Sequence, residues 1–265
     1  MKIGFIGCVN MGGALVRAVA NAGFADNTFV ADANAEKVSA VSAECGVNTS
    51  DVSTVVGLCD YIFIGVKPQM LHELSSEISP ILKKRENRFV LVSMCAGVSI
   101  EKVKNFAGVD CPVIRIMPNM PVSVGKGVVL GSCEGTTADE KDNFDKIMSK
   151  VGVFDWIEEK YIDAASAVSG CGPAYAYLFI EALADGAVAC GLSRDKAQLY
   201  AAGMLAGSAE MVLQTGKHPG ELKDAVCSPG GTTIAGVRAL ENGSFRASAM
   251  NAVIEAYEKT LSLGK

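Results

Sequence analysis

Lys2-Ile3-Gly4-Phe5-Ile6-Gly7-Cys8-Val9-Asn10-Met11-Gly12-Gly13 opens the chain, and its reading decides the fold. Lys2 to Ile6 reads as a short buried strand and Ala14 to Ala22 as a helix, with a glycine turn between them. A helix N-terminus offers unpaired backbone N–H groups and a partial positive charge to a pyrophosphate, and glycines let the backbone come close to it. Gly7 suits the tight turn and Gly12 the close helix–strand contact. Val9 stands at the second glycine of G-x-G-x-x-G, so a branched side chain falls where the phosphates come nearest. Phe29-Val30-Ala31 reads as a second strand ending in Asp32, twenty residues after Gly12, the place of the acidic residue that grips a ribose 2′-OH. Ile6, Gly7, Cys8, Val9, Asn10, Met11 and Asp32 are therefore the first cofactor-binding candidates.

The chain has 265 residues, 49% hydrophobic and 20% charged, enough to bury a large core and to form two domains. A net charge of −5, with no basic run longer than three residues, argues against nucleic acid or an anionic membrane as partner. Small anionic ligands must then be held by local backbone donors. The nine cysteines lie singly and never as C-x-x-C, several of them inside apolar runs, so reduced thiols in a cytoplasmic setting are expected. No cleavable leader pattern precedes the first strand. Ala164 to Leu192 is strongly apolar, yet Glu181, Asp185, Pro173 and several glycines interrupt it, which favours buried helix over a membrane span.

Up to about residue 155, short β-rich runs (61–65, 89–92, 113–116, 127–130) alternate with helical stretches (34–43, 69–78, 100–106, 139–151). The alternation predicts an α/β, Rossmann-like domain over 1–155, with a mostly parallel sheet covered on both faces. After Trp156 the sequence turns to Ala-, Leu- and Gly-rich helices, and 156–265 is expected to be an all-helical second domain. Ala182, Ala184, Gly186 and Ala189, with Ala201, Gly203, Ala206 and Ala209, give these helices faces of small residues. Such faces suit either a dimer interface or close packing within one chain.

Only two histidines occur, His72 and His218, neither with a second ligand at metal spacing, so neither a metal site nor a Ser-His-Asp triad is expected. Ligands in open α/β sheets bind outside the carboxyl ends of the strands. There the chain places Gly65-Val66-Lys67-Pro68, Cys95-Ala96-Gly97 and Met117-Pro118-Asn119-Met120-Pro121, small or amide-bearing groups that suit a flat nicotinamide ring and its ribose. Ser169-Gly170-Cys171-Gly172-Pro173-Ala174-Tyr175 reads as the start of a long helix. Cys227-Ser228-Pro229-Gly230-Gly231-Thr232-Thr233 sets hydroxyls and glycines at another helix N-terminus, able to hold a carboxylate on backbone N–H groups and leave a threonine hydroxyl for a second polar atom.

With these segments read together, the chain resembles the Δ1-pyrroline-5-carboxylate reductases over nearly its whole length. The resemblance rests on Ile3–Gly7 with Asn10-Met11-Gly12, Val66-Lys67-Pro68, Ala96-Gly97, Arg115 with Met117-Pro118-Asn119, Ser169-Gly170 with Gly172–Tyr175, Glu181–Asp185 and, most specific of all, Ser228–Thr233. It implies a Rossmann domain followed by a helical dimerisation domain, homodimers that assemble into a larger ring, and hydride transfer from NAD(P)H to the cyclic imine, giving L-proline as the last step of proline biosynthesis. It also implies that Thr233 hydrogen-bonds the ring nitrogen and assists its protonation. By the same resemblance Ser228, Gly230, Gly231, Thr232 and Val226 bind the substrate, with Glu159 as a neighbour of the ligands. An iminium is already an electrophile, so holding it about 3–3.5 Å from the nicotinamide supplies much of the catalysis and no strong base is required.

Three positions depart from the family pattern: Val9 for glycine, Met120 for threonine and Cys171 for serine. Asp32 followed by Ala33 should repel a 2′-phosphate, so NADH is expected in preference to NADPH. Two other readings fit parts of the chain. The β-hydroxyacid dehydrogenases share this domain order but use a lysine in the first long helix of the second domain, and no lysine occurs between Lys160 and Lys196. A non-catalytic relative that binds nucleotide, or has lost it, and serves as a regulator would tolerate Val9 and Met120; a sample that binds no NADH and turns over no pyrroline-5-carboxylate would favour it.

Overall fold

Ile3–Ile6 and Tyr61–Ile64 are unbroken apolar runs with every residue buried, and Val90–Ser93 is buried throughout, the signature of parallel strands covered on both faces. The computed structural model describes residues 1–263, apart from the side chains of Pro68 and Leu263. Strands β1 (Ile3–Ile6), β2 (Thr28–Ala31), β3 (Asn48–Thr49), β4 (Tyr61–Ile64), β5 (Val90–Ser93), β6 (Val113–Pro118), β7 (Gly127–Glu134) and β8 (Gly152–Trp156) form one sheet in the order β3-β2-β1-β4-β5-β6-β7-β8. All neighbours are parallel except β6 and β7. In register, Ile6 pairs with both Ala31 and Ile64, Ile64 with Ser93, and Ser93 with Arg115. That row ends β1, β2, β4 and β5 while β6 runs on to Pro118, and the segments from Gly7, Asp32, Gly65 and Met94 leave the sheet side by side.

Helices α1 (Met11–Val19), α2 (Ala35–Cys45) and α6 (Ala138–Ile147) belong with one face, where Phe5, Phe63 and Phe144 stack. Helices α3 (Val52–Leu58), α4 (Leu71–Leu82) and α5 (Ile100–Ala107) cover the other through Ile62, Ile64, Ile78, Leu82 and Leu91. Their starts are set locally. Asn34, Asp51 and Ser99 accept the N–H of the third helical residue, and Thr137 with Glu140 forms a capping box.

The structure adds three elements that the apolar pattern hides. β3 is two exposed residues, α3 is only seven residues long, and β8 is a partly exposed edge strand in the stretch after the helix expected over 139–151. That helix stops at Ile147. The compact unit also runs past residue 155, to Cys171, and includes the chain from Ala256 onward. Ile162 of helix α7 (Ile162–Ser169) packs on Met117 and Leu130 of the sheet, which ties 157–171 to the strands.

The second unit, Gly172–Glu255, is wholly helical: α8 (Gly172–Ala189), α9 (Arg194–Thr215), α10 (Pro219–Ala225), α11 (Thr232–Asn242) and the first part of α12 (Phe245–Leu263). Within it α8 packs along α9, burying Ala184, Ala197 and Ala201, while Ala182, Gly186, Gly203 and Ala206 stay exposed. The small-residue faces are therefore only partly consumed inside the chain. Tyr175 donates its hydroxyl to the Ala252 carbonyl (3.1 Å), and the Phe179 and Phe245 rings lie 5.3 Å apart. Among the described residues no helix is long and apolar enough to cross a membrane. All nine cysteines are free, and the described residues contain no cluster of three metal-ligating side chains.

Candidate active site

The glycine turn is built by contact. Gly7 sits at φ +90°, and a Cβ there would lie 2.8 Å from the backbone of Gly65; a Cβ on Gly12 would lie 1.9 Å from the Gly7 carbonyl oxygen. Backbone is packed on backbone, and only glycine fits. Asn10 starts α1 without a side-chain cap, and the first turn carries no acidic residue. The leading N–H groups of α1 are thus left to a ligand, with the helix dipole favouring an anion.

Asp32 leaves β2 beside this turn. Its Oδ2 accepts from the Cys8 amide (2.9 Å) and its Oδ1 from the Asn34 amide (3.0 Å). Burial, and next the Asp32 charge, push the Cys8 thiol up to about 11. Val9 is half-buried and Asn10 exposed. An open groove of about 400 Å³ runs from Asp32 along Ala35 and Ser39 to Ser50 and Asp51.

Two further loops stand next in the row. The Cys95 thiol donates to the Val66 carbonyl (3.3 Å), locking the segment after β5 to the segment after β4, and burial raises its pKa. Lys67 and Ala96 are exposed at the lip, and Pro68 begins a 3₁₀ turn, its side chain lying outside the described residues. Asn119 turns inward. Its Nδ2 donates to the Ser169 carbonyl (2.9 Å) and its Oδ1 accepts from the Val128 amide (2.9 Å), so both ends of the amide brace the unit. Met120 is 53% exposed.

Glu159 is likewise engaged, by the Ile100 amide and by Arg115, which also holds Asp163. Arg115 appeared in the sequence only as part of the family pattern. The available signal was an arginine inside the apolar strand Val113–Ile116, which cannot be buried without acidic partners.

In the helical unit, Ser228–Thr233 forms the turn into α11. The Gly231 amide donates to the Ser228 carbonyl (3.0 Å), and Gly231 starts the helix with no side-chain cap. Ser228, Gly230, Thr232 and Thr233 are exposed, and Val226 at the end of α10 is 64% exposed. This helix start has free N–H groups, hydroxyls on both sides and no acidic residue in its first turn, which suits a carboxylate. His218 is a cap: its Nδ1 accepts from the Gly220 amide (3.0 Å).

The α1 cradle, with its close glycine contacts and unpaired N–H groups, fits the pyrophosphate of a dinucleotide. Comparison with known proteins points the same way. A family model described as NADP oxidoreductase, coenzyme F420-dependent, matches residues 2–97, and one described as pyrroline-5-carboxylate reductase dimerisation matches residues 159–263. The pyrroline-5-carboxylate reductase of Glycine max is 45% identical over 79% of this chain and 75% of its own. That of Escherichia coli K12 is 40% identical over 100% of this chain and 98% of its own. A crystal structure of Plasmodium falciparum pyrroline carboxylate reductase with NADP bound superposes with a TM-score of 0.88 at 34% identity, covering 100% of this chain and 98% of that one. With likeness of this degree along the full length, and with both the nucleotide cradle and the Ser228–Thr233 turn in place, the chain belongs to the pyrroline-5-carboxylate reductase family.

Proposed function

We propose that this chain reduces 1-pyrroline-5-carboxylate to L-proline, the last step of proline biosynthesis. The observation that carries the reading is the Ser228–Thr233 turn, an uncapped helix start flanked by hydroxyls in a chain related along its whole length to reductases of this name. The N–H groups at the start of α11, with Ser228, Gly230, Gly231 and Thr232, hold the substrate carboxylate, and Val226 lies beside them. Thr233 donates its hydroxyl to the imine nitrogen and relays to it a proton drawn from water, which balances the hydride added at carbon. A bound nicotinamide supplies the hydride for the imine carbon. No histidine need act as base, in keeping with the capping role of His218.

The cofactor is held by Ile6–Met11 with Asp32, by Gly65–Pro68 and by Cys95–Gly97, with Asn119 supporting the last strand end from within. We assign NADH rather than NADPH, because Asp32 directly follows β2 and Ala33 supplies no cation for a 2′-phosphate. The protein is a homodimer that builds into a larger ring. Support comes from the match to a dimerisation family model and from large apolar side chains left open on α8 and α9: Leu178 is 68%, Leu199 67% and Leu213 67% exposed. Nine free thiols suit the reducing cytoplasm.

The test is oxidation of NADH and of NADPH by the purified protein with 1-pyrroline-5-carboxylate. Substrate-dependent oxidation with NADH ahead is expected. A clear NADPH preference would sink the cofactor assignment. A protein that binds no NADH and turns over no substrate is instead a regulator that has kept the fold.

A further inference from the structure

Arg115 is 4% exposed between two fully buried isoleucines. A guanidinium removed from water costs several kcal/mol unless it is paired. Its Nη1 donates to Glu159 Oε1 (3.1 Å), its Nη2 to Asp163 Oδ1 (2.7 Å), and its Nε has no partner among the described residues. Glu159 does more than neutralise it. The same Oε1 accepts from the Ile100 amide (2.8 Å), the first N–H of α5. That donor has no partner inside the helix, and a carboxylate there also meets the positive end of the helix dipole. Ser99 takes the Lys102 amide, so the start of α5 is held by two separate groups.

Helix α5 begins directly after the Cys95–Val98 turn, closed by the Val98 amide on the Cys95 carbonyl (3.3 Å), which displays Ala96 and Gly97. The upstream end of this turn is fixed by the register of Ser93 against Ile64 and Arg115 and by the Cys95 thiol on Val66. The downstream end is fixed by Glu159, which the buried Arg115 holds in place. We infer that Glu159 is a positioning residue for the nucleotide loop Cys95–Gly97, acting through the Ile100 amide and touching neither substrate nor cofactor. The inference rests on the proposed assignment of that loop to the cofactor.

The experiment compares Glu159→Ala, Glu159→Asp, Glu159→Gln and Ala96→Trp in the full chain, each checked for folding by circular dichroism. NADH Kd is read by fluorescence, and substrate KM and kcat by steady-state assay. Glu159→Ala is expected to raise NADH Kd about tenfold, equivalent to 1.4 kcal/mol, with substrate KM unchanged. Glu159→Gln, which keeps an acceptor for Ile100, should recover most of the affinity. Glu159→Asp keeps the charge but falls one methylene short of Ile100, so it should repeat the loss and serves if the alanine variant does not fold. A rise in substrate KM with NADH Kd intact would show that Glu159 touches substrate and overturn the inference, as would alanine and aspartate variants that bind NADH like the parent. Ala96→Trp tests the loop itself: if it leaves NADH Kd unchanged, the cofactor assignment of the loop fails, whatever Glu159 does.

Discussion

Asp32 accepts the Cys8 amide at 2.9 Å, so the acidic residue that follows β2 is also a strut of the glycine turn. One carboxylate therefore couples cofactor choice to loop shape. A hydrogen bond to a charged group is worth roughly 1.5–3 kcal/mol. Asp32→Ala should weaken NADH by about tenfold or more on that scale and erase the discrimination against NADPH. Paired titrations of the two cofactors check this; a variant that still prefers NADH as strongly as the parent would remove Asp32 from the choice.

Gly12 and Val9 make opposite predictions within one turn. Gly12→Ala sets a methyl group 1.9 Å from the Gly7 carbonyl oxygen, against backbone that cannot swing aside. Overpacking of this kind costs about 1–3 kcal/mol, and thermal melting should show it together with loss of NADH binding. Val9→Gly restores the missing fingerprint residue and should tighten NADH; an unchanged Kd would mean that the turn already accommodates the valine.

Thr233→Ala should lower kcat by about 10²-fold, the smaller end of what a positioned proton donor contributes, while NADH Kd stays as in the parent. The split separates a residue at the reacting nitrogen from one that shapes the fold. Unchanged turnover would take Thr233 out of the mechanism.

Buried thiols set an alkaline limit. Burial pushes Cys59 up to about 12 and Cys111 up to about 11, against an ordinary 9.0. The folded state thus favours the neutral thiols. Their contribution is complete below pH 9, where the unfolded chain also keeps its protons, and is lost as pH rises from 9 toward 11 and 12. Melting temperature should hold level from pH 7 to 8.5 and then fall, with a shallower fall for Cys59→Ala measured against its own neutral-pH value. Equal slopes would assign the alkaline loss to other groups.

The strands β1, β2, β4, β5 and β6, the first half of β7 and nearly all the helices could be read from residue pattern, because their apolar runs, caps and glycines act over a few neighbouring positions. β3 and β8 could not, since they are edge strands with exposed residues and exist only by pairing with β2 and β7. The division of the chain shows the same contrast. The change from alternating strands to helices falls at Trp156, but α7 joins the first unit because Ile162 finds its apolar partners on β6 and β7.

Among the candidate residues, Gly7, Gly12 and Asp32 carry chemistry that spacing reveals. Asn119 and Glu159 do not, for their side-chain bonds run to residues far along the chain. Glu159 meets Ile100 across 59 positions and Arg115 across 44.

By itself the sequence determined the fold class, the dinucleotide turn and the family, since each is written in local periodicity and short-range motif. Only the tertiary structure decided that Asp32 props the turn, that Asn119 faces inward and that Glu159 spans Arg115 and the start of α5. Those roles follow from which polar groups are left without water when the sheet closes, and that depends on the packing of the whole unit.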